Sequence, residues 1–142
     1  ITTPLLLETD AGQNGKVGSI EEISFLINEV NNPRLGICFD TAHLFESGLD
    51  LRDKDKVEQF VIELKNLNLL SKVHCIHLND SATELDSHWD NHADLGKGKI
   101  GIQGLSNFVN HSDLSHLPLI LETPGPDKMG PNLDNISIAK SL

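Results

Sequence analysis

Four short apolar runs in this sequence each end at or close to an acidic residue or a histidine. The runs occupy residues 4–8, 34–40, 72–79 and 117–122, and polar or amphipathic segments separate them. Continuously apolar strands that alternate with helices are typical of a parallel sheet covered by helices. The carboxyl ends of parallel strands lie at one edge of such a sheet, so the polar residues that end these runs are predicted to meet there.

Helical periodicity fills three of the intervening segments. Ser19 followed by Glu22 is a capping-box pattern, which predicts that the first helix begins there and continues to about Val30. Residues 53–70 and 102–110 are the other predicted helices; residues 41–50 are a loop or a short helix. His74 alternates with His77 in the third run and is expected to face the helices.

The repeated strand–helix order predicts an α/β fold, with four of the units of a (β/α)8 TIM barrel. The 142 residues suit a single domain, residues 1–142, with a polar C-terminal tail at 126–142 and a possible last turn near 136–139. Half a barrel leaves two open sheet edges. Either the N-terminal half of the barrel is missing from this chain or a partner covers those edges, and a chain that begins with Ile1 is expected to be a trimmed protein or the later part of a longer one.

A polar loop from Ser81 to Gly101 has no periodicity, and a loop of about 20 residues inside a domain is usually functional or mobile. It carries Asp90 and His92, which point to the same side if the segment is extended. Trp89 beside them could wedge against DNA or pack the loop, and packing is the favoured interpretation. Lys97 and Lys99 could contact DNA phosphate or lie in a solvated turn.

Carboxylates and imidazoles without clustered thiols suit catalytic zinc or manganese. Seven candidates exceed what one zinc ion binds, so two or three ions are implied, as in enzymes that hydrolyse phosphoesters with a metal-activated water. The candidate ligands are Glu8, Asp40, His43, His77, Asp90, His92 and Glu122.

The net charge and the cysteines limit the partners and the cellular location that are expected. A net charge of −10 argues against nucleic acid when taken alone, but bound cations would change the local sign. Cys38 and Cys75 are expected to be buried thiols, which fits a reducing, cytoplasmic location. No apolar run approaches the roughly 18 residues of a membrane span, so no membrane partner is expected.

Six segments occur in the order and approximate spacing of the endonuclease IV family, the zinc-dependent apurinic/apyrimidinic (AP) endonucleases. The resemblance extends from about residue 8 to 130, and it corresponds to the C-terminal half of that family's (β/α)8 barrel. The segments are Leu-Leu-Glu-Thr-Asp-Ala-Gly-Gln (6–13), Gly-Ile-Cys-Phe-Asp-Thr-Ala-His (36–43), His-Leu-Asn-Asp-Ser (77–81), Asp-Asn-His (90–92), Leu-Gly-Lys-Gly-Lys-Ile-Gly (95–101) and Pro-Leu-Ile-Leu-Glu-Thr-Pro (118–124).

The resemblance implies a DNA-repair endonuclease that cleaves double-stranded DNA on the 5′ side of abasic sites, leaves a 3′-hydroxyl and trims blocked 3′ ends. It implies up to three Zn2+ ions, with Mn2+ possible in part of the site. Glu8 would bridge two ions, and Asp40, His77 and Glu122 would complete one of them. Glu122 or Glu8 would orient the attacking water as a catalytic residue.

By the same resemblance, His43, Asp90 and His92 would hold the third ion, and two histidines from the missing strands would complete the remaining one. The chain departs from the family pattern at Ala42, where Cys is usual, and at Ala82, where Lys is common. Losing a basic residue removes an expected phosphate contact.

Two other functions stay open. A sugar isomerase or epimerase of the related xylose-isomerase-like barrels shares strand-end carboxylates and histidines, but a third metal site has no role in its chemistry. An inactive barrel fragment that binds metal without turnover is the other alternative.

Overall fold

A computed structural model describes residues 3–142; Ile1 and Thr2 lie outside the described residues. A four-stranded parallel sheet in the order β1-β2-β3-β6 forms its centre, which confirms the predicted α/β class. The strands are β1 (Leu5–Glu8), β2 (Leu35–Asp40), β3 (Val73–His77) and β6 (Leu119–Ile120). Because each strand follows the previous one around the sheet, the arrangement is that of consecutive barrel units.

Helices connect these strands, and their starts have the expected caps. Ser19 and Glu22 form the predicted capping box, and Asp53 caps the third helix. The predicted helices at 53–70 and 102–110 are confirmed within a few residues. The helices are α1 (Ile20–Val30), α2 (Thr41–Glu46), α3 (Lys54–Asn66), α4 (Gly101–Val109) and α5 (Leu133–Ser141).

Three segments differ from the prediction. The run at 117–122 forms only the two-residue β6, which pairs with β3 at one edge of the sheet. The loop at 81–101 contains half of a small antiparallel pair, β4 (Asp80–Ser81) with β5 (His92–Ala93). The polar tail holds the nine-residue α5, capped by Asn132, where only a turn was predicted.

The core lies between the sheet and the helices. The Phe39 ring on β2 lies 5.5 Å from Phe60 on α3 and 6.2 Å from Phe108 on α4, measured between centroids. The edges are less well covered: Leu5 on β1 is 63% exposed and Ile120 on β6 is 45% exposed. Across residues 3–142, no helix combines the length and apolarity that crossing a membrane requires.

Strand β3 contains an irregularity that corrects the prediction for His74. Ile37 pairs with Val73, but the next residue of β2, Cys38, pairs with Cys75. His74 is therefore an extra residue, and a Cβ atom placed on Gly36 would collide with its ring. Gly36 faces the same side as Asp40, so His74 lies on that side of the sheet and not against the helices.

Asp80, buried at the start of β4, organises the second half of the long loop. A side chain at Gly98 would collide with its carboxylate and with the Ser81 carbonyl, so the loop can close over Asp80 only with glycine there. The carboxylate accepts hydrogen bonds from the backbone N–H groups of Ser81, Gly96, Gly98, Ile100 and Gly101, at 2.9 to 3.3 Å.

We expect Asp80→Ala to lower the free energy of unfolding by about 3 kcal/mol, because several buried N–H groups lose their only charged acceptor. Urea denaturation followed by circular dichroism measures the change. Asp127→Ala removes the same charge at an exposed turn and should stay within about 0.5 kcal/mol of the parent. Equal midpoints for the two variants would contradict the organising role of Asp80.

Candidate metal centre

The ends of the four parallel strands bring four of the predicted site residues together. His77 ends β3, and its Nδ1 atom lies 2.9 Å from Glu8 Oε1 at the end of β1. The same nitrogen lies 3.1 Å from Glu122 Oε2, just beyond β6, and 4.0 Å from Asp40 Oδ2 at the end of β2. Ligand atoms of all four residues lie within 4.8 Å of one another. We call this group the strand-end cluster.

A second group adjoins it. His43 on α2 and His92 at the start of β5 place their Nε2 atoms 3.3 Å apart. Asp90 Oδ1 lies 3.3 Å from His43 Nε2 and 3.6 Å from His92 Nε2. We call these three residues the loop cluster. Asp40 links the two clusters, because its Oδ2 atom is 3.5 Å from His92 Nε2. All seven predicted residues thus lie in two adjoining groups, and their function as ligands stays a prediction.

Charged and hydrogen-bonded neighbours shift the pKa values of Glu8, His43 and His77. The hydrogen bond from His77 lowers the pKa of Glu8, and the same bond raises the pKa of His77. Burial opposes a charged ring at His43, but the Asp40 carboxylate, the Thr9 carbonyl and Asp90 outweigh it and raise the pKa of His43. In both clusters the neighbouring carboxylates thus favour the protonated, positively charged form of the imidazole. A divalent cation would supply that charge in its place.

The strand-end cluster is held by polar residues that sequence reasoning missed. Asn79 donates from Nδ2 to Asp40 Oδ2 at 2.7 Å, and its Oδ1 accepts from the backbone N–H of Glu122 at 3.0 Å. Thr41 Oγ1 donates to the Asn79 carbonyl at 2.6 Å. The other Asp40 oxygen accepts from the N–H groups of Ala42 and His43, as a helix N-cap does. One Asp40 oxygen therefore caps helix α2, and the other faces the strand-end cluster.

The loop cluster depends on contacts between two loops. His43 Nδ1 lies 2.7 Å from the Thr9 carbonyl oxygen, which fixes the ring so that Nε2 faces the cluster. The Asp90 N–H donates to Gln13 Oε1 at 3.3 Å. Trp89, next to Asp90, is 58% exposed, so the expectation that it packs the loop is wrong.

Glu46 is a further buried acid at this site. It ends α2 and is fully buried, and its Oε1 atom accepts from Ser81 Oγ at 2.6 Å and from the Asn91 N–H at 3.2 Å. Its Oε2 atom is buried without a hydrogen-bond partner. Burial raises the pKa of Glu46. One of its oxygens lies within 4.8 Å of ligand atoms of His43 and Asp90.

The remaining candidates are two thiols and two lysines. Cys38 and Cys75 are buried free thiols, as predicted, and burial raises the pKa of Cys38. Their sulfur atoms and a ring nitrogen of His77 lie within 4.8 Å of one another, so the expectation that the thiols are not clustered is wrong. Lys97 Nζ lies 3.8 Å from Asp94 Oδ2, and Lys99 Nζ lies 2.6 Å from Glu84 Oε1. Both lysines that were considered for phosphate binding therefore have acidic neighbours.

Known proteins are similar to this chain in sequence. Residues 2–140 match the family described as xylose isomerase-like TIM barrel. A probable endonuclease 4 of Sulfurihydrogenibium sp. is 43% identical over 141 residues, covering 99% of this chain and 50% of that protein. A probable endonuclease 4 of Moorella thermoacetica is 47% identical over 128 residues, covering 87% and 46%.

A solved structure is similar to this chain in its fold. The crystal structure of endonuclease IV from Thermus thermophilus superposes with a TM-score of 0.77 at 34% identity, over 97% of this chain and 50% of that one. The chain spans about half the length of the curated relatives it matches. With the family match over nearly every residue and a common half-barrel, the chain belongs to the endonuclease IV family of xylose isomerase-like TIM barrels.

Proposed function

We propose that this chain carries most of the metal centre of a DNA-repair endonuclease that hydrolyses the phosphodiester 5′ to abasic sites in double-stranded DNA. The observation that carries the proposal is the meeting of seven carboxylates and imidazoles at the carboxyl end of one parallel sheet. Relatives named as probable endonuclease 4 support the same reaction class. An intracellular location, where DNA is the substrate, belongs to this proposal.

The donor set fits Zn2+, with Mn2+ as an alternative. Carboxylate oxygens and imidazole nitrogens without thiolates are the donors of catalytic zinc and manganese sites. The strand-end cluster would hold one ion and the loop cluster another. Glu8 lies at the end of the edge strand β1, so it would be shared between the strand-end ion and the ion that the two histidines of the missing strands would complete. When bound, such ions lower the pKa of water and stabilise the attacking and leaving oxygens.

The chain's own groups would orient the water and the phosphodiester. Glu8 and Glu122 keep side chains that are 40% and 46% exposed, so a water at the cluster can donate hydrogen bonds to both. Its oxygen attacks phosphorus, the bond to the 3′-oxygen breaks, and that oxygen takes a proton to become the 3′-hydroxyl. The 5′-phosphate stays on the abasic side. The same attack on a blocked 3′ end would trim it.

The proposed complete site extends beyond this chain. The exposed edges at β1 and β6 offer unpaired backbone groups to further parallel strands. The four further units of the barrel would cover both edges. They would also supply the two histidines that the family resemblance implies for the remaining zinc ion, which neither cluster holds. The half-length coverage of the relatives supports this partner.

We expect His92→Ala to abolish binding of one Zn2+ ion and to leave the ion of the strand-end cluster bound, because His92 contributes only to the loop cluster. Calorimetric titration of the metal-free chain gives the stoichiometry and the affinity of each site. His116→Ala, which removes an exposed histidine outside both clusters, is the matched control and should keep the parent stoichiometry. Loss of both ions in His92→Ala would contradict two separable clusters.

We expect the zinc-loaded protein with both halves of its barrel to nick a duplex that carries one abasic-site analogue, and Glu122→Gln to lower the nicking rate by about 100-fold or more, because the amide orients the attacking water poorly. Gel analysis of a 5′-labelled strand measures the rate, and extension by a DNA polymerase identifies the 3′-hydroxyl. Chelation by EDTA should stop the reaction.

Two controls make this test specific. Glu29→Gln removes an exposed carboxylate on α1 and should leave the nicking rate unchanged. The same duplex without the abasic analogue should stay intact. Interconversion of an aldose and a ketose by the metal-loaded protein, with no nicking, would replace this proposal by the sugar-isomerase alternative.

A further inference from the structure

The buried Glu46 carboxylate has two oxygens in different environments. Oε1 is saturated by Ser81 Oγ, by the Asn91 N–H and, at 3.3 Å, by Thr83 Oγ1. Oε2 has no partner at all among the described residues, although the whole side chain is inaccessible to solvent. A buried carboxylate oxygen without a hydrogen-bond partner lowers the stability of the fold, so its presence calls for an explanation.

The surroundings of Glu46 indicate what is missing. A Glu46 oxygen and the ligand atoms of His43 and Asp90 all lie within 4.8 Å of one another. None of the described residues places a Lys or Arg ion pair on Glu46 or Asp90, and both acids point to the same small space. Two carboxylates and an imidazole that converge in this way without a basic partner are suited to a divalent cation.

We propose that Glu46 is a fourth protein donor to the cation held by His43, Asp90 and His92. This inference rests on the proposed metal centre and goes further, because Glu46 was no part of the predicted ligand set. All four donors belong to this chain, so the site does not require the other barrel half.

The two oxygens of Glu46 would then have separate tasks. Oε2 would bind the cation, while Oε1 accepts hydrogen bonds from Ser81, where the loop begins, and from Asn91, which lies between Asp90 and His92. The backbone adds to this attachment, because the His88 N–H donates to the Glu46 carbonyl at 2.9 Å. Cation binding and loop position are thereby coupled through one side chain.

The test uses Glu46→Gln, which keeps an oxygen to accept from Ser81 and Asn91 but places an amide nitrogen where the cation donor was. Calorimetric titration with Zn2+ should show the loop-cluster site weakened by about 10-fold or more, with the strand-end site unchanged. The visible spectrum of the Co2+-loaded chain should change as one donor is lost. The metal-free variant should melt at or above the parent temperature, because an unpaired buried charge is gone.

Two further variants separate donation from attachment. Glu84→Gln removes the same charge from an exposed side chain on the same loop and should leave both affinities unchanged. Ser81→Ala removes the strongest bond to Oε1 and should weaken the loop-cluster site far less than Glu46→Gln does. Equal losses in Ser81→Ala and Glu46→Gln would overturn the inference, because attachment alone would explain them.

The remaining outcomes are also decisive. Parent affinity at both sites in Glu46→Gln would overturn the inference and leave the metal centre standing. A metal-free Glu46→Gln chain that is less stable than the parent, or unfolded, would show that the fold and not the cation requires Glu46. No cation binding by the parent chain would remove the proposed metal centre together with this inference.

Discussion

The extra residue in β3 is the constraint on which the site depends. Before it, Val73 pairs with Ile37, whose side chain belongs to the core between sheet and helices. Strict alternation from Val73 would send His77 to that same core side, because residues two apart in a strand share a face. The bulge at His74 reverses this phase, so His77 pairs with Asp40 and faces the open end of the sheet. One inserted residue thus decides whether the strand-end cluster exists.

Single polar side chains then hold the backbone and the candidate ligands at the same time. Asp40 caps α2 with one oxygen and faces His77 and His92 with the other, so the helix and the cluster share one anchor. Asn79 joins Asp40 to the backbone of Glu122 across two strands. This sharing fixes the side-chain positions without a cation, which would reduce the ordering cost of the proposed cation binding.

The strand ends could be predicted from sequence because parallel strands bring their carboxyl ends together whatever the details of packing. Glu46 and Asp80 could not, because the partners that make them important come from distant parts of the chain. Glu46 ends a short helix two residues before a glycine, where an acid is usually solvated, and only the return of residues 81–91 buries it. The short length of β6 could not be predicted either, because the apolar run at 117–122 extends beyond the two residues that pair with β3.

The acidic charge of the chain would make the proposed DNA binding depend on the proposed metal binding. Glu8, Asp90 and Glu122 all face the open end of the sheet, where without cations their field would repel a phosphate. Divalent cations reverse that local sign, so affinity for a phosphodiester would depend on metal loading. Lys97 and Lys99 are already beside Asp94 and Glu84, but an exposed ion pair such as Lys99–Glu84 contributes at most about 1 kcal/mol, so a phosphate could displace Glu84. If the chain acts on DNA as proposed, its bound cations would attract the phosphates first and its few basic residues second.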